Sequence, residues 1–191
     1  MAHRWNTLRR IVRDKGLGEM ILGAGVPPLY VITNATVQLG YGGYNFTGIY
    51  GSVPNNLTAL QVYPWRVVDQ YARGIRLMQA TQASLPFVGN AMSGWDARPW
   101  GGEQRPVFDF PTDAEWVATL QQLRSDVEAL QLGFPTGGGA GGGAGGVMAR
   151  VQPALSIYSW NEFGEGGVMA PSQGWNYTRL DALARVFPRD C

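Results

Sequence analysis

Histidine and cysteine are almost missing from this chain: His3 and Cys191 are its only examples. Their scarcity excludes an internal disulfide framework and a cysteine-rich metal site. It also excludes Ser-His-Asp and Cys-His nucleophile systems and H-E-x-x-H zinc chemistry. No metal or other cofactor is expected, and any catalysis must run on carboxylates, tyrosines or arginines. Charge is sparse too, at 15% of residues against the usual ~25%. With a net charge of +1, the chain carries no electrostatic footprint for nucleic acid and no polybasic membrane patch. Lys15 is the only lysine among 15 basic residues, which we read as codon bias. Long apolar runs are lacking as well. The best, Met20 to Ile32, is broken by Gly23, Gly25, Pro27 and Pro28 and falls short of the ~20 residues a membrane span needs. Arg4, Arg9, Arg10 and Arg13 interrupt the first residues before a signal-peptide core develops.

What is present is an alternation of strand and helix signals. Leu8, Ile11, Val12 and Lys15 stand at helical spacing before Gly16 and Gly18. Leu29–Thr33 and Phe46–Tyr50 read as strands. Pro64 opens a helix with Val68, Tyr71, Ile75 and Met78 on one stripe. Pro86–Ala91 is a third strand, followed by a loop rich in glycine, proline and tryptophan over Ser93–Gly102. Thr112 and Glu115 form a capping box for a helix whose apolar face is Trp116, Leu120, Leu123, Val127 and Leu130. Gly137–Gly146 is a Gly/Ala-rich flexible insertion. Pro153–Trp160 is a fourth, buried strand, and Leu180, Leu183, Ala184 and Phe187 mark a last helix.

One helix per strand predicts an α/β fold with a parallel sheet. Four such units make half of a (β/α)8 TIM-type barrel, and 191 residues fall short of the ~250 that a complete barrel takes. The chain therefore reads as one partial barrel domain over residues 1–191. An open doubly wound sheet is the alternative, although no G-x-G-x-x-G or P-loop follows any strand.

The chemistry concentrates in Ser159-Trp160-Asn161-Glu162-Phe163-Gly164-Glu165-Gly166, directly after the fourth strand. Barrel active sites lie at the C-terminal ends of strands. Aromatic neighbours desolvate a carboxyl, and a second carboxylate raises its pKa further. Glycoside cleavage needs that asymmetry, one carboxyl protonated and one ionised. Gly164 and Gly166 would turn the backbone so that both carboxylates face one cavity. A solvated loop with two surface glutamates is the competing reading of the spacing alone.

Trp160-Asn-Glu-Phe-Gly-Glu-Gly166, with Ala170-Pro171 behind it, resembles the W-N-E-W-x-E-G…E-P signature of the glycoside hydrolase family 99-like group, which includes endo-α-mannosidases and WbsX-like glycan-processing proteins. Gly94-Trp95-Asp96-Ala-Arg98-Pro99-Trp100 is similar to that group's G-[YWF]-D…R-P-W stretch. Phe163, Gly164 and Ala170 depart from the endo-α-mannosidase residues Trp, His and Glu, and so fit the WbsX-like branch better. The resemblance spans roughly residues 28 to 187, and the group's first barrel strands have no counterpart. It implies a retaining α-glycosidase for mannose-type glycans with a neighbouring-group mechanism. Glu162 would deprotonate the sugar 2-hydroxyl, and Glu165 would be the acid/base at the glycosidic oxygen. Asp96 and Arg98 would bind sugar hydroxyls, a role the planar guanidinium suits. Trp95 and Trp100 would stack on sugar rings, with Trp160 and Asn161 completing the substrate-binding set.

The expected partner is an oligosaccharide or glycan, with neither nucleic acid nor a membrane span. A carbohydrate-binding remnant without catalysis and a glycosyltransferase-like protein are the alternatives. Four sequons, Asn34-Ala-Thr, Asn45-Phe-Thr, Asn56-Leu-Thr and Asn176-Tyr-Thr, exceed the one or so expected by chance. They point to the secretory pathway, Golgi or extracellular, over a cytoplasmic location.

Overall fold

The computed structural model describes residues 2–16, 23–25, 46–48, 61–82, 85–96, 98–100, 106–135 and 151–188. In chain order these form α1 (Ala2–Asp14), β1 (Gly23–Gly25), β2 (Phe46–Gly48), β3 (Val62–Tyr63), α2 (Trp65–Gln82), β4 (Phe87–Met92) and β5 (Val107–Phe108). There follow α3 (Asp113–Ala129), β6 (Gly133–Pro135), β7 (Val151–Pro153), β8 (Leu155–Tyr158), β9 (Asn161–Glu162), β10 (Gly167–Val168) and α4 (Thr178–Val186). The expected strand Leu29–Thr33, the end of Phe46–Tyr50 and the Gly137–Gly146 insertion lie outside the described residues.

Strands β1, β2, β4 and β8 make one parallel sheet in that order. Parallel neighbours require a crossover, and α2 and α3 fall on the connections from β2 to β4 and from β4 to β8. All six residues of β4 are buried, as expected of a central parallel strand. On one face Phe87 and Ala91 join Ile75, Leu123, Val127 and Leu132. Gly89 lies among the same side chains, and a Cβ there would come 3.1 Å from Leu132 and 3.3 Å from Leu123. A second cluster gathers Trp65, Val68, Trp116 and Leu120 of α2 and α3 around Met92, Phe108 and Tyr158.

The capping box is present in both halves. Thr112 Oγ1 accepts from the Glu115 backbone N–H at 3.3 Å, and Glu115 accepts from the Thr112 N–H at 2.9 Å. The Thr112 N–H, together with the Thr112 hydroxyl that donates to the same Glu115 Oε2 at 2.8 Å, holds the Glu115 carboxyl below the usual carboxylate range. Thr112→Ala removes the side-chain cap and is expected to cost about 1 kcal/mol, read from urea unfolding midpoints at unchanged slope.

One expectation needs correction, and in two of the expected helices the buried residues are not the ones that the apolar spacing marks. Pro153–Trp160 is not one buried strand. Its first residue ends β7, which pairs antiparallel with β6, and at Ala154 the chain switches partner, so that β8 pairs with β4. Among the described residues β8 is the last strand of the sheet, and Leu155, Ser156 and Ile157 are only half-buried. In α4 the fully buried residues are Arg179, Ala182 and Val186. Leu180, Leu183 and Phe187 pack at the margin of the core, and Ala184 is exposed. The Arg179 guanidinium takes the inner position because it lies between two indoles, 5.2 Å from Trp116 and 5.1 Å from Trp175. In α1, Leu8 and Ile11 are exposed, so the stripe they begin does not enter the core.

Candidate functional site

Two loops carry the site, and both leave the same end of the sheet. Met92 of β4 pairs with Tyr158 of β8 in the final rung. The chain beyond Met92 holds Trp95, Asp96, Arg98 and Trp100, and the chain beyond Tyr158 holds Trp160, Asn161, Glu162 and Glu165. β6 and β7, which flank the Gly/Ala-rich insertion in sequence, pair antiparallel just before the N-terminal end of β8.

Small polar side chains lock the two exits together. Ser93 donates from its backbone N–H and its hydroxyl to the Tyr158 carbonyl, at 2.7 and 2.8 Å. The Ser159 N–H donates back to Ser93 Oγ at 3.2 Å. Ser159 then organises the glutamate ribbon. Its hydroxyl donates to the Gly167 carbonyl at 2.6 Å and accepts from the Glu162 N–H at 3.1 Å. Glu162 pairs with Gly167 as β9 meets β10, and a 3-10 turn over Phe163–Glu165 connects them.

Gly166 ends that turn at φ +70°, a conformation glycine takes without steric cost. A Cβ on Gly166 would lie 2.7 Å from the Phe110 ring, and one on Gly94 would lie 2.2 Å from the Gly166 carbonyl oxygen. Phe110 therefore occupies the space that the two hydrogens leave, and it meets Trp175 edge-on at 5.0 Å. The Asp96 N–H donates to the Glu165 carbonyl at 2.6 Å. The two sequence motifs are thus joined by backbone contact.

The glutamates differ in setting. The Tyr158 hydroxyl, buried at the end of β8, donates to Glu165 Oε2, which fixes the orientation of that carboxyl. Glu162 is held through its backbone, and both glutamates are half-buried. The expected aromatic walls are not there: Trp160 is 57% and Phe163 62% exposed. Short β9 and β10 form a ribbon of two residues each, too narrow to cover either side chain.

Asp96 and Arg98 face each other. Arg98 Nε donates to both Asp96 carboxylate oxygens at 2.9 and 3.1 Å, and Nη2 donates at 2.6 Å. These side-chain bonds outweigh burial and hold the Asp96 carboxyl below its ordinary value. Asp96 thereby stays ionised as a fixed acceptor. Trp95 lies tilted against Tyr158 at 6.1 Å between ring centroids, so it packs on the residue that orients Glu165. Trp100 ends a 3-10 turn over Arg98–Trp100.

Sequence reasoning missed Tyr158, Ser93, Ser159 and Phe110. The glycines at 94 and 166 were a visible signal of close approach, but they do not name the ring that approaches. Among the described residues, no group of three or more His, Cys, Asp and Glu is placed to hold a metal ion. No described helix is long and apolar enough to cross a membrane. Comparison of the chain with models of known families, with curated proteins and with solved structures finds no match.

Proposed function

We propose that this chain is the C-terminal half of a (β/α)8 barrel that cleaves α-linked, mannose-type glycans with retention of configuration. The observation that carries the proposal is the meeting of the two motif loops at the C-terminal ends of neighbouring parallel strands, with Asp96 bonded to Glu165. That is where barrel enzymes do their chemistry.

In this reading Glu162 takes the proton of the sugar 2-hydroxyl. The freed oxygen attacks the anomeric carbon as the glycosidic bond breaks. Glu165 protonates the departing oxygen through the carboxyl oxygen not engaged by Tyr158. Water then opens the strained ring, with Glu165 as base and Glu162 returning the proton. Asp96, held ionised by Arg98, accepts hydrogen bonds from sugar hydroxyls. The half-exposed Arg98 supplies donors.

The test is turnover of an aryl α-mannoside and of α-mannan oligosaccharides by the full product of the open reading frame. Proton NMR follows the anomer released first. Release of the α-anomer is expected. Release of the β-anomer rules out retention, and absence of turnover rules out the hydrolase. A sugar-binding surface without catalysis is favoured by the exposure of Trp160 and Phe163, since such rings stack on pyranose faces. That reading predicts quenching of tryptophan fluorescence by the same oligosaccharides with no products formed.

A further inference from the structure

We infer that Asn176 is an acceptor of N-linked glycan, independently of what the glutamates do. Asn176-Tyr177-Thr178 meets the acceptor pattern, with a hydroxyl residue two positions on and no proline between. The acceptor asparagines of the other three sequons lie outside the described residues, so the structural argument concerns Asn176 alone.

The turn that carries it has a buried side and an open side. The Asn176 N–H closes the turn onto the Ser172 carbonyl at 2.7 Å, and the Trp175 N–H donates to Ser172 Oγ at 3.2 Å. Trp175 forms the inner side, packed against Phe110 and under the Arg179 guanidinium. Asn176 is exposed at φ +46°, in the left-handed region that asparagine tolerates better than most residues. Tyr177 beside it is 62% exposed.

Among the described residues the Asn176 side chain makes no hydrogen bond, and the bond that closes the turn uses its backbone. Thr178 begins α4 and donates its hydroxyl to the Trp175 carbonyl at 2.9 Å, so the helix start needs the threonine but not the asparagine amide. A bulky, hydrophilic modification can therefore be carried on the open side without disturbing the Trp175 anchor.

The transfer requires a lipid-pyrophosphate-linked oligosaccharide. The Asn176 amide nitrogen bonds to the anomeric carbon, the bond from that carbon to the pyrophosphate oxygen breaks, and lipid pyrophosphate leaves. The amide proton passes to base.

The experiment directs the chain into a eukaryotic secretory host behind a cleavable signal. Lysate and medium are then digested and analysed by peptide mass spectrometry before and after treatment with an N-glycosidase. The peptide spanning Asn176 should carry a glycan that the enzyme removes, leaving aspartate. Asn176→Gln and Thr178→Ala should each abolish it, and Thr178→Ser should retain it. Transfer occurs on the nascent chain, so occupancy is read even where folding is poor. An unmodified Asn176 peptide in both fractions overturns the assignment. So does secretion of Asn176→Gln alone while the glycosylated chain is retained, because the open side would then not accommodate the sugar.

Discussion

Asp126→Ala is expected to lower the unfolding free energy by about 3–5 kcal/mol, the usual cost of breaking a buried ion pair from one side. The pair links three elements. Arg76 of α2 donates from Nε to Asp126 Oδ2 of α3 at 2.8 Å and from Nη1 to the Asn90 carbonyl of β4, also at 2.8 Å. The two side chains are 1% and 6% exposed. Without the carboxylate, the buried guanidinium loses its bonded counter-charge and keeps only the Asn90 carbonyl and the through-space attraction of Asp69, so its desolvation is then largely uncompensated. Arg73, 3.7 Å from the same carboxylate, is half exposed and returns to water at little cost. For a chain of this length the loss corresponds to a melting point lower by roughly 6–20 °C. Arg76→Met together with Asp126→Leu removes both charges and should recover most of the loss. Thermal melts of wild type, single and double variants decide it. A single variant as stable as wild type would mean that the pair does not hold α2 to α3.

That ion pair also shows where the sequence stops being readable. The capping box of α3 was legible because both of its bonds are made within four residues. The stripes of α2 and α3 were legible because burial of Val68, Ile75, Trp116, Leu120, Leu123 and Val127 repeats with the helical period. The run Phe87–Met92 was legible because a strand buried on both faces needs no alternation. Arg76 and Asp126 carry no such signal: each looks like an ordinary surface charge on its own helix, and only tertiary packing turns them inward. Arg179 is the same case. A stripe count puts leucines inside, whereas the indoles of Trp116 and Trp175, far apart in sequence, select the arginine. At the candidate site, spacing drew attention to the glutamates, and the resemblance named Asp96 and Arg98 as binders of sugar hydroxyls but not as partners of each other. The supports of the ribbon carried no such mark. Tyr158 and Ser159 stand within eight residues of the groups they hold, but a strand tyrosine and a serine are ordinary by type; Ser93 and Phe110 reach the ribbon only through tertiary packing. Exposure failed for a related reason. Trp160 and Phe163 resemble core residues by type, but a ribbon of two-residue strands leaves them no layer to enter.

The largest effect on activity is expected at Glu162 and Glu165, and the two should differ in kind. If Glu165 protonates the leaving oxygen, its loss matters less when the leaving group departs without a proton. Glu165→Gln should then be severely impaired on mannan oligosaccharides and recover much of its rate on an activated aryl α-mannoside. If Glu162 removes the 2-hydroxyl proton, no leaving group replaces it, and Glu162→Gln should be inactive on both substrates. General acid–base assistance is typically worth about 10²–10⁴-fold, so the contrast lies well within the range of a rate assay. Both variants should fold. Each glutamate is half-buried, glutamine is nearly isosteric, and in Glu165→Gln the side-chain carbonyl still accepts from Tyr158. Melting curves of the variants that overlay the wild type establish that any lost rate is chemical. Equal recovery of both variants on the aryl substrate would remove the distinction between base and acid. Near-wild-type rates in both would move the chemistry away from the β9–β10 ribbon and leave the exposed rings of Trp160 and Phe163 as a binding surface.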